Sequence, residues 1–263
     1  MLKISHLFIY PIKSLGGIEL TSSKVEERGL QYDRRWMLID EQNRFITQRE
    51  HTQLALLRTA ITSDHLEVFH ISDSSNKIRI PLQYDQQQTF DVNIWEDVCP
   101  AIPVSKEIDQ WFSKTLKQPV RLVYMPDDSR RHIDPDYAFN QEITSFSDGY
   151  PILIIGKASL DDLNAKLNEP IGMDRFRPNI VFTGGKAFCE DAMQSITIGD
   201  VKMMGVKNCA RCIMTTTDQQ TGERSSEPLA TLSTYRKRNN KIYFGQNVIP
   251  VTNGIIQIGD ILA

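Results

Sequence analysis

The sequence has little cysteine, no long apolar run and no dominant charge, and each lack excludes something. Four cysteines in 263 residues are too few for a disulfide framework and fit a reducing compartment. No stretch approaches the roughly 20 apolar residues that a membrane-spanning helix needs. The N-terminus has only short apolar runs before Lys13, too short for the core of a secretory signal. The 30 Lys and Arg nearly balance 33 Asp and Glu, for a formal charge of −3, so nothing marks nucleic acid or an anionic membrane as a partner. The expectation is a cytoplasmic protein. With 40% hydrophobic residues, the chain can bury a sizeable core in one large domain or two small ones.

What is present concentrates between Asn208 and Gly222. Cys209 and Cys212 stand three apart with Arg211 between them, and Thr215, Thr216 and Thr217 follow. The β-branched run favours an extended backbone and residues 218–222 have turn composition, so the stretch reads as a strand edge opening into a loop. A thiolate beside a guanidinium is a soft, charged ligand. The pair is half of a zinc site, a redox dithiol, or two unrelated thiols of which one is functional. Zinc needs four ligands, yet Cys99 and Cys189 stand alone. Of the five His only His65 and His70 are close in sequence, in a strand-like segment far from the cysteines. A thioredoxin-like dithiol belongs at a helix start beside a βαβ unit, whereas this pair precedes a Thr run.

The rest of the chain is mostly strand-like. Residues 2–12 read as a strand ending at Lys13-Ser14, followed by Gly16-Gly17. A cation, a hydroxyl and open backbone amides suit an anion such as phosphate, although Lys in a turn is ordinarily solvated. At Asp33-Arg34-Arg35-Trp36, two arginines entering a strand must face opposite ways. The inward one needs an acidic partner or an anionic ligand, the plain alternative being a salt bridge with Asp33. Short runs at 18–25, 35–39, 54–62, 66–71, 78–82 and 89–94 suggest antiparallel strands of a barrel or sandwich, with a hairpin loop at 85–88. The period then becomes 3.6 over residues 105–118, with Ser105 as N-cap, Pro119 as stop, and Trp111 and Phe112 as core residues. After a strand at 120–124, the segment with Arg130, Arg131 and His132 reads as an exposed loop. A strand at 152–155, a helix at 160–167 capped by Ser159, and strands at 180–183, 195–198 and 201–206 lead to the cysteine pair. Pro228 opens a helix reaching Tyr235, and residues 254–262 read as a last strand.

Taken in order, Tyr10-Pro-Ile-Lys-Ser14, Gly29-Leu30 with Asp33-Arg-Arg-Trp36, Phe176-Arg-Pro-Asn-Ile180, Cys209-Ala-Arg-Cys212 through Gly222, and Phe244-Gly-Gln-Asn247 resemble the MOSC superfamily. Within it the chain is most similar to the amidoxime-reducing components and their bacterial YcbX-type relatives. The resemblance covers essentially the whole chain. It implies a β-rich α+β fold, with an N-terminal β-barrel-like region over residues 1–122 packed on a MOSC β-barrel domain over 123–263, and a few short helices.

It also implies a molybdenum cofactor, the metal on a pyranopterin dithiolene with one protein thiolate. The matching thiol is Cys212, so Cys212 and Arg211 are the implied catalytic residues and Cys212 the metal ligand. Lys13, Ser14, Arg34, Arg177, Ala210 through its backbone, Arg211 and Asn247 are implied to hold the pterin and its phosphate, by charge-assisted recognition. The chain departs from the mitochondrial pattern at Gly149-Tyr150, where those relatives have a Thr-Ser pair, and at Asn247, where they have Tyr. The implied reaction reduces small N-hydroxylated compounds to the N–H form. No Cys-x4-Cys-x2-Cys run is present for a [2Fe–2S] cluster, so the expected electron donor is a separate flavin reductase or ferredoxin-like protein. The rival function is a cofactor carrier or sulfur-transfer module without reductase activity.

Overall fold

The computed structural model describes residues 1–84 and 88–263, so most of the hairpin loop expected at 85–88 lies outside the described residues. Among the described residues, seven strands close into a barrel. Going round it, Ile152–Gly156 runs parallel to Ile180–Thr183, which pairs with Leu2–Ile9. Then come Ile261–Leu262, Ser195–Ile198, Val201–Arg211 and Lys241–Pro250, and the last returns to Ile152–Gly156. The first strand of the chain is thus a stave in a barrel otherwise made after residue 150. Its interior holds Leu7, Ile9, Ile154, Ile180, Phe182, Ile198, Met203 and Val248, all buried. Alternation along the strands selects these residues, since successive side chains face opposite sides.

Against the barrel stands an open half-barrel layer. Trp36–Ile39, Arg121–Tyr124, Asp97–Pro103 and Phe90–Ile94 form one sheet, and Leu57–Ile61, His65–His70 and Asp73–Pro81 form a meander. Their core packs Trp36, Leu38, Leu57, Val68 and Ile80 on the helix Lys106–Leu116. That helix buries Ile108, Phe112 and Leu116 at its four-residue spacing, and the Ser105 hydroxyl accepts from the Ile108 N–H, as its sequence predicts. Trp111 lies half-buried at the core edge, edge-on to Phe112 at 5.1 Å. Together these parts make the β-rich α+β architecture. Among the described residues no helix is long and apolar enough to cross a membrane.

Several local expectations fail, each for a tertiary reason. Ser159 does not cap a helix at 160. The helix is Lys157–Asn164, and Ser159 lies inside it, its hydroxyl bonding the buried Glu190 carboxylate at 2.9 Å and the Phe188 N–H at 2.7 Å. Of the run Thr215–Thr217 only Thr217 is extended: Ile213–Thr216 is a 3-10 turn in which the hydroxyls of Thr215 and Thr216 bond the carbonyls of Cys212 and Ile213. The strand entering the cysteine pair does not stop at Val206 but runs to Arg211, because Lys241–Pro250 pairs with it throughout. The final strand is two, Gly254–Gln257 and Ile261–Leu262, in different sheets. The strand Asp97–Pro103 carries two prolines and no clean alternation, and the sequence does not announce it.

Candidate functional site

The strand ends fix the site. Leu2–Ile9 finishes where Ile180–Thr183 and Ile152–Gly156 begin, and Val201–Arg211 ends where Arg211 reaches the Phe176 carbonyl, shortly before Ile180–Thr183. The pairing of Val201–Arg211 with Lys241–Pro250 slips register between Asn208 and Ala210, where Phe244 and Gly245 supply an extra residue. Gly245 has φ +86°, and a Cβ there would lie 2.8 Å from Ile155 Cγ1. The bulge re-aims the end of the strand and so the cysteine pair.

A cavity of about 290 Å³ opens at this end. Its wall contains every residue singled out from the sequence: Lys13, Ser14, Arg34, Arg177, Ala210, Arg211, Cys212 and Asn247. It also contains Cys209, Arg49, Arg175 and Asp148. Among the described residues, six cationic side chains (Lys13, Arg34, Arg49, Arg175, Arg177, Arg211) therefore face one carboxylate, Asp148.

Lys13 is not the solvated turn residue its type predicts. It is 4% exposed, and its ammonium donates to the Phe146 carbonyl at 2.8 Å and to Asp148 at 2.7 Å. Burial brings its pKa down to about 8, against the pull of Asp148. Burial would raise the Asp148 carboxyl, but the charges of Lys13 and Arg49 outweigh it and hold it well below the usual carboxylate range. Half of the Asp148 side chain still reaches the cavity.

The salt bridge read for Asp33-Arg34 is present, and it does not withdraw the arginine from the cavity. Arg34 bonds the buried Asp33 at 2.6 Å and still faces the cavity. The second arginine, Arg35, points away and bonds the Met125 carbonyl and Asp127. Tyr10 lies between two guanidiniums, with Arg34 4.3 Å and Arg177 4.1 Å from its ring centroid. The ring fits because residue 17 is glycine; a Cβ there would meet the Tyr10 ring at 2.5 Å. Burial raises the phenol's pKa despite both arginines, so it is neutral at physiological pH. Ser14, Arg34 and Arg177 all have left-handed backbones, with φ of 68°, 49° and 55°. Such conformations cost about 1–3 kcal/mol each and persist where the surroundings enforce them, commonly at functional sites.

Arg211 donates to Cys209 Sγ at 3.0 Å and to the Phe176 carbonyl at 2.7 Å. Phe176 is itself fixed by stacking on Phe244 at 4.1 Å. Cys209 thus orients the arginine between the cysteines, and Cys212 lines the cavity beside Arg49, whose pKa is raised by Asp148 and Cys212 against the opposing effect of burial. All four cysteines are free.

Sequence reasoning missed Arg49, Arg175 and Asp148 as wall residues, and Arg131 as their support. In place of the solvated loop predicted there, Arg131 is buried and bonds Asp97 and the carbonyls of Ser145, Ser147 and Asp148. Arg49 and Asp148 lie in irregular segments where no periodicity marks a facing direction. Arg175 had a signal, its place two residues before Arg177.

The wall fits a large anion. Among the described residues, Arg49 Nη1, Arg175 Nη1, Arg177 Nη2 and Arg211 Nε are buried without a hydrogen-bond partner. A buried donor left so costs about 1–3 kcal/mol, which an anionic acceptor offsets. Phosphate oxygens and pterin heteroatoms are such acceptors, and Cys212 offers one soft donor for a metal on sulfur.

The sequence matches the MOSC N-terminal beta barrel domain over residues 1–119 and the MOSC domain over residues 141–263. It is 32% identical to mitochondrial amidoxime-reducing component 1 of Homo sapiens, over 98% of this chain and 81% of the human one. With mitochondrial amidoxime reducing component 2 of Rattus norvegicus the identity is 34%, over 89% and 72%. With molybdenum cofactor sulfurase of Oryza sativa subsp. japonica it is 28%, over 92% of this chain and 32% of the plant protein. Carrying both domains in order and this much identity along nearly its whole length, the chain belongs to the molybdenum-cofactor-associated MOSC family that includes the amidoxime-reducing components.

Proposed function

We propose that this chain is a molybdenum-cofactor-dependent reductase of small N-hydroxylated compounds: amidoximes, hydroxylamines and N-hydroxylated bases. The observation that carries the reading is Cys212, a thiol set into a cavity whose arginines hold four unpartnered buried nitrogens, in a chain 32% identical to an amidoxime-reducing component. Overall, an N–OH bond is broken, two electrons and two protons enter, and an N–H product and water leave. The electrons come from a separate redox protein, a flavin reductase or ferredoxin-like partner.

When bound, the cofactor supplies the two-electron redox chemistry. The chain supplies the rest. Cys212 gives the metal its one protein thiolate. Lys13, Ser14, Arg34, Arg177, the Ala210 backbone, Arg211 and Asn247 would hold the pterin and phosphate, and Arg175 would join them through its free nitrogen. Asp148 stays ionised beside Lys13 and Arg49, so it gives no proton near neutrality.

The test is elemental molybdenum in protein expressed in a host that makes the cofactor, with turnover of benzamidoxime by a chemically reduced donor. Wild type and Cys209→Ser are expected to carry the metal and turn over substrate, and Cys212→Ser to lose metal and activity. Metal with no turnover in wild type makes the protein a carrier. Loss in Cys209→Ser alone reverses the assignment of the two thiols.

A further inference from the structure

A second cavity, about 840 Å³, lies beside the first and shares one wall residue with it, Arg49. We infer that this groove holds the organic body of the substrate, and that Trp95 is the platform on which a planar aromatic group stacks. The inference rests on the reductase reading above.

Trp95 is 46% exposed, an unusual state for an indole that lines a cavity. It is the first residue of a two-residue hairpin loop, since Ile94 pairs with Asp97, and its φ is +55°. Such a position ordinarily takes glycine, asparagine or aspartate; a bulky aromatic there is disfavoured. The ring is held in place by Phe45, edge-on at 4.8 Å, and by the Arg49 guanidinium 4.6 Å from its centroid. The turn itself does not select an indole, because glycine suits this position, and nearly half of the ring is left open to the groove.

Arg49 connects the groove to the chemistry. Its Nη2 bonds Asp148 at 2.7 Å, its Nη1 is buried without a partner, and Cys212 stands beside it. A molecule lying along the groove with its ring on Trp95 passes Arg49 and presents its far end to the Cys212 cavity. An N-hydroxylated group on an aromatic or heteroaromatic ring has this form: a flat apolar body ending in a polar oxygen that accepts from the free guanidinium nitrogen. An aliphatic hydroxylamine has the polar end and lacks the body. The structure therefore assigns a preference for aromatic over small aliphatic N-hydroxylated compounds.

Two measurements on Trp95→Gly test this. The first uses benzamidoxime as a quencher of indole fluorescence. The other two tryptophans, Trp36 and Trp111, lie outside the groove, Trp36 buried and Trp111 half-buried. Saturable quenching is expected in wild type and its loss in Trp95→Gly. The second compares kcat/KM for benzamidoxime with that for N-methylhydroxylamine, using cofactor-loaded protein. Removing a stacking aromatic should lower that ratio about tenfold, through the KM for benzamidoxime. Glycine suits the turn but gives up the ring's contacts with Phe45 and Arg49, so the Tm and retained turnover of N-methylhydroxylamine check that the variant is folded. No saturable quenching in wild type, equal quenching in the variant, or an unchanged ratio overturns the groove assignment. Wild type that turns over neither compound overturns the reductase reading instead, and the fluorescence titration still decides the groove.

Discussion

Replacing Tyr10 separates two accounts of how a protein keeps two arginines side by side in a buried wall. The ring lies 4.3 and 4.1 Å from the Arg34 and Arg177 guanidiniums and is 3% exposed, so both contacts are desolvated. A cation–π contact of that kind is worth about 2 kcal/mol, against 0.5–1 at an exposed site. Two that share a ring fall short of additivity, and about 3 kcal/mol of arginine positioning is a fair total. Leucine keeps most of the burial and removes the π face. Tyr10→Leu should therefore weaken the affinity of cofactor-free protein for inorganic pyrophosphate by about tenfold to a hundredfold, 1.4–2.8 kcal/mol. Titration calorimetry reads the loss directly. The rival account makes Tyr10 a phenolate that neutralises both cations. Burial raises the phenol's pKa and keeps it protonated, so Tyr10→Phe should bind pyrophosphate within about twofold of wild type. If Phe loses as much as Leu, the phenolate account is right. If Leu binds like wild type, the sandwich does not position the arginines.

Two further outcomes follow from the site. Lys13 has its pKa lowered to about 8 by burial, so its ammonium is present below that value and lost above it, while Asp148 is ionised throughout this range. Pyrophosphate affinity should be flat on this account from neutrality to pH 8 and fall above it, by at most about tenfold per pH unit, and Lys13→Met should abolish that step. At the bulge, Gly245→Ala forces a Cβ to 2.8 Å from Ile155 Cγ1 at φ +86°. It should cost about 1–3 kcal/mol and lower the Tm, and an unchanged Tm would show that the bulge relaxes freely.

The sequence showed the strands and the site to different depths. Residues 180–183 read correctly as a short apolar run and 195–198 as an alternating polar and apolar one, and Ser105 announced its helix through the cap and the 3.6 period. All eight residues taken from the ordered motifs line one cavity: seven sit at strand ends or in the turns beyond them, and Asn247 lies within the strand Lys241–Pro250 that runs past it. What stayed hidden depends on partners far away in sequence. Ser159 has the composition of a cap, yet Glu190 draws it into the helix interior. Arg131 looks like a solvated loop residue, yet four groups in two segments claim its guanidinium. Gln48 and Gln219 are an amide pair exchanging hydrogen bonds across 171 residues while Gln48 holds the Ser14 carbonyl, and glutamine has no local pattern that reveals such a bond.

The closure of the barrel also sets when the site can exist. Leu2–Ile9 pairs with Ile261–Leu262, and the cavity draws on positions from 13 to 247. A chain made only as far as residue 250 has the cations of the wall but not the closed ring of strands that aims them. Contacts this distant along the chain form late and slowly. The arrangement of the wall is thus a late product of folding, and removing either Leu2–Ile9 or Ile261–Leu262 should open the barrel and scatter the cations that line the cavity.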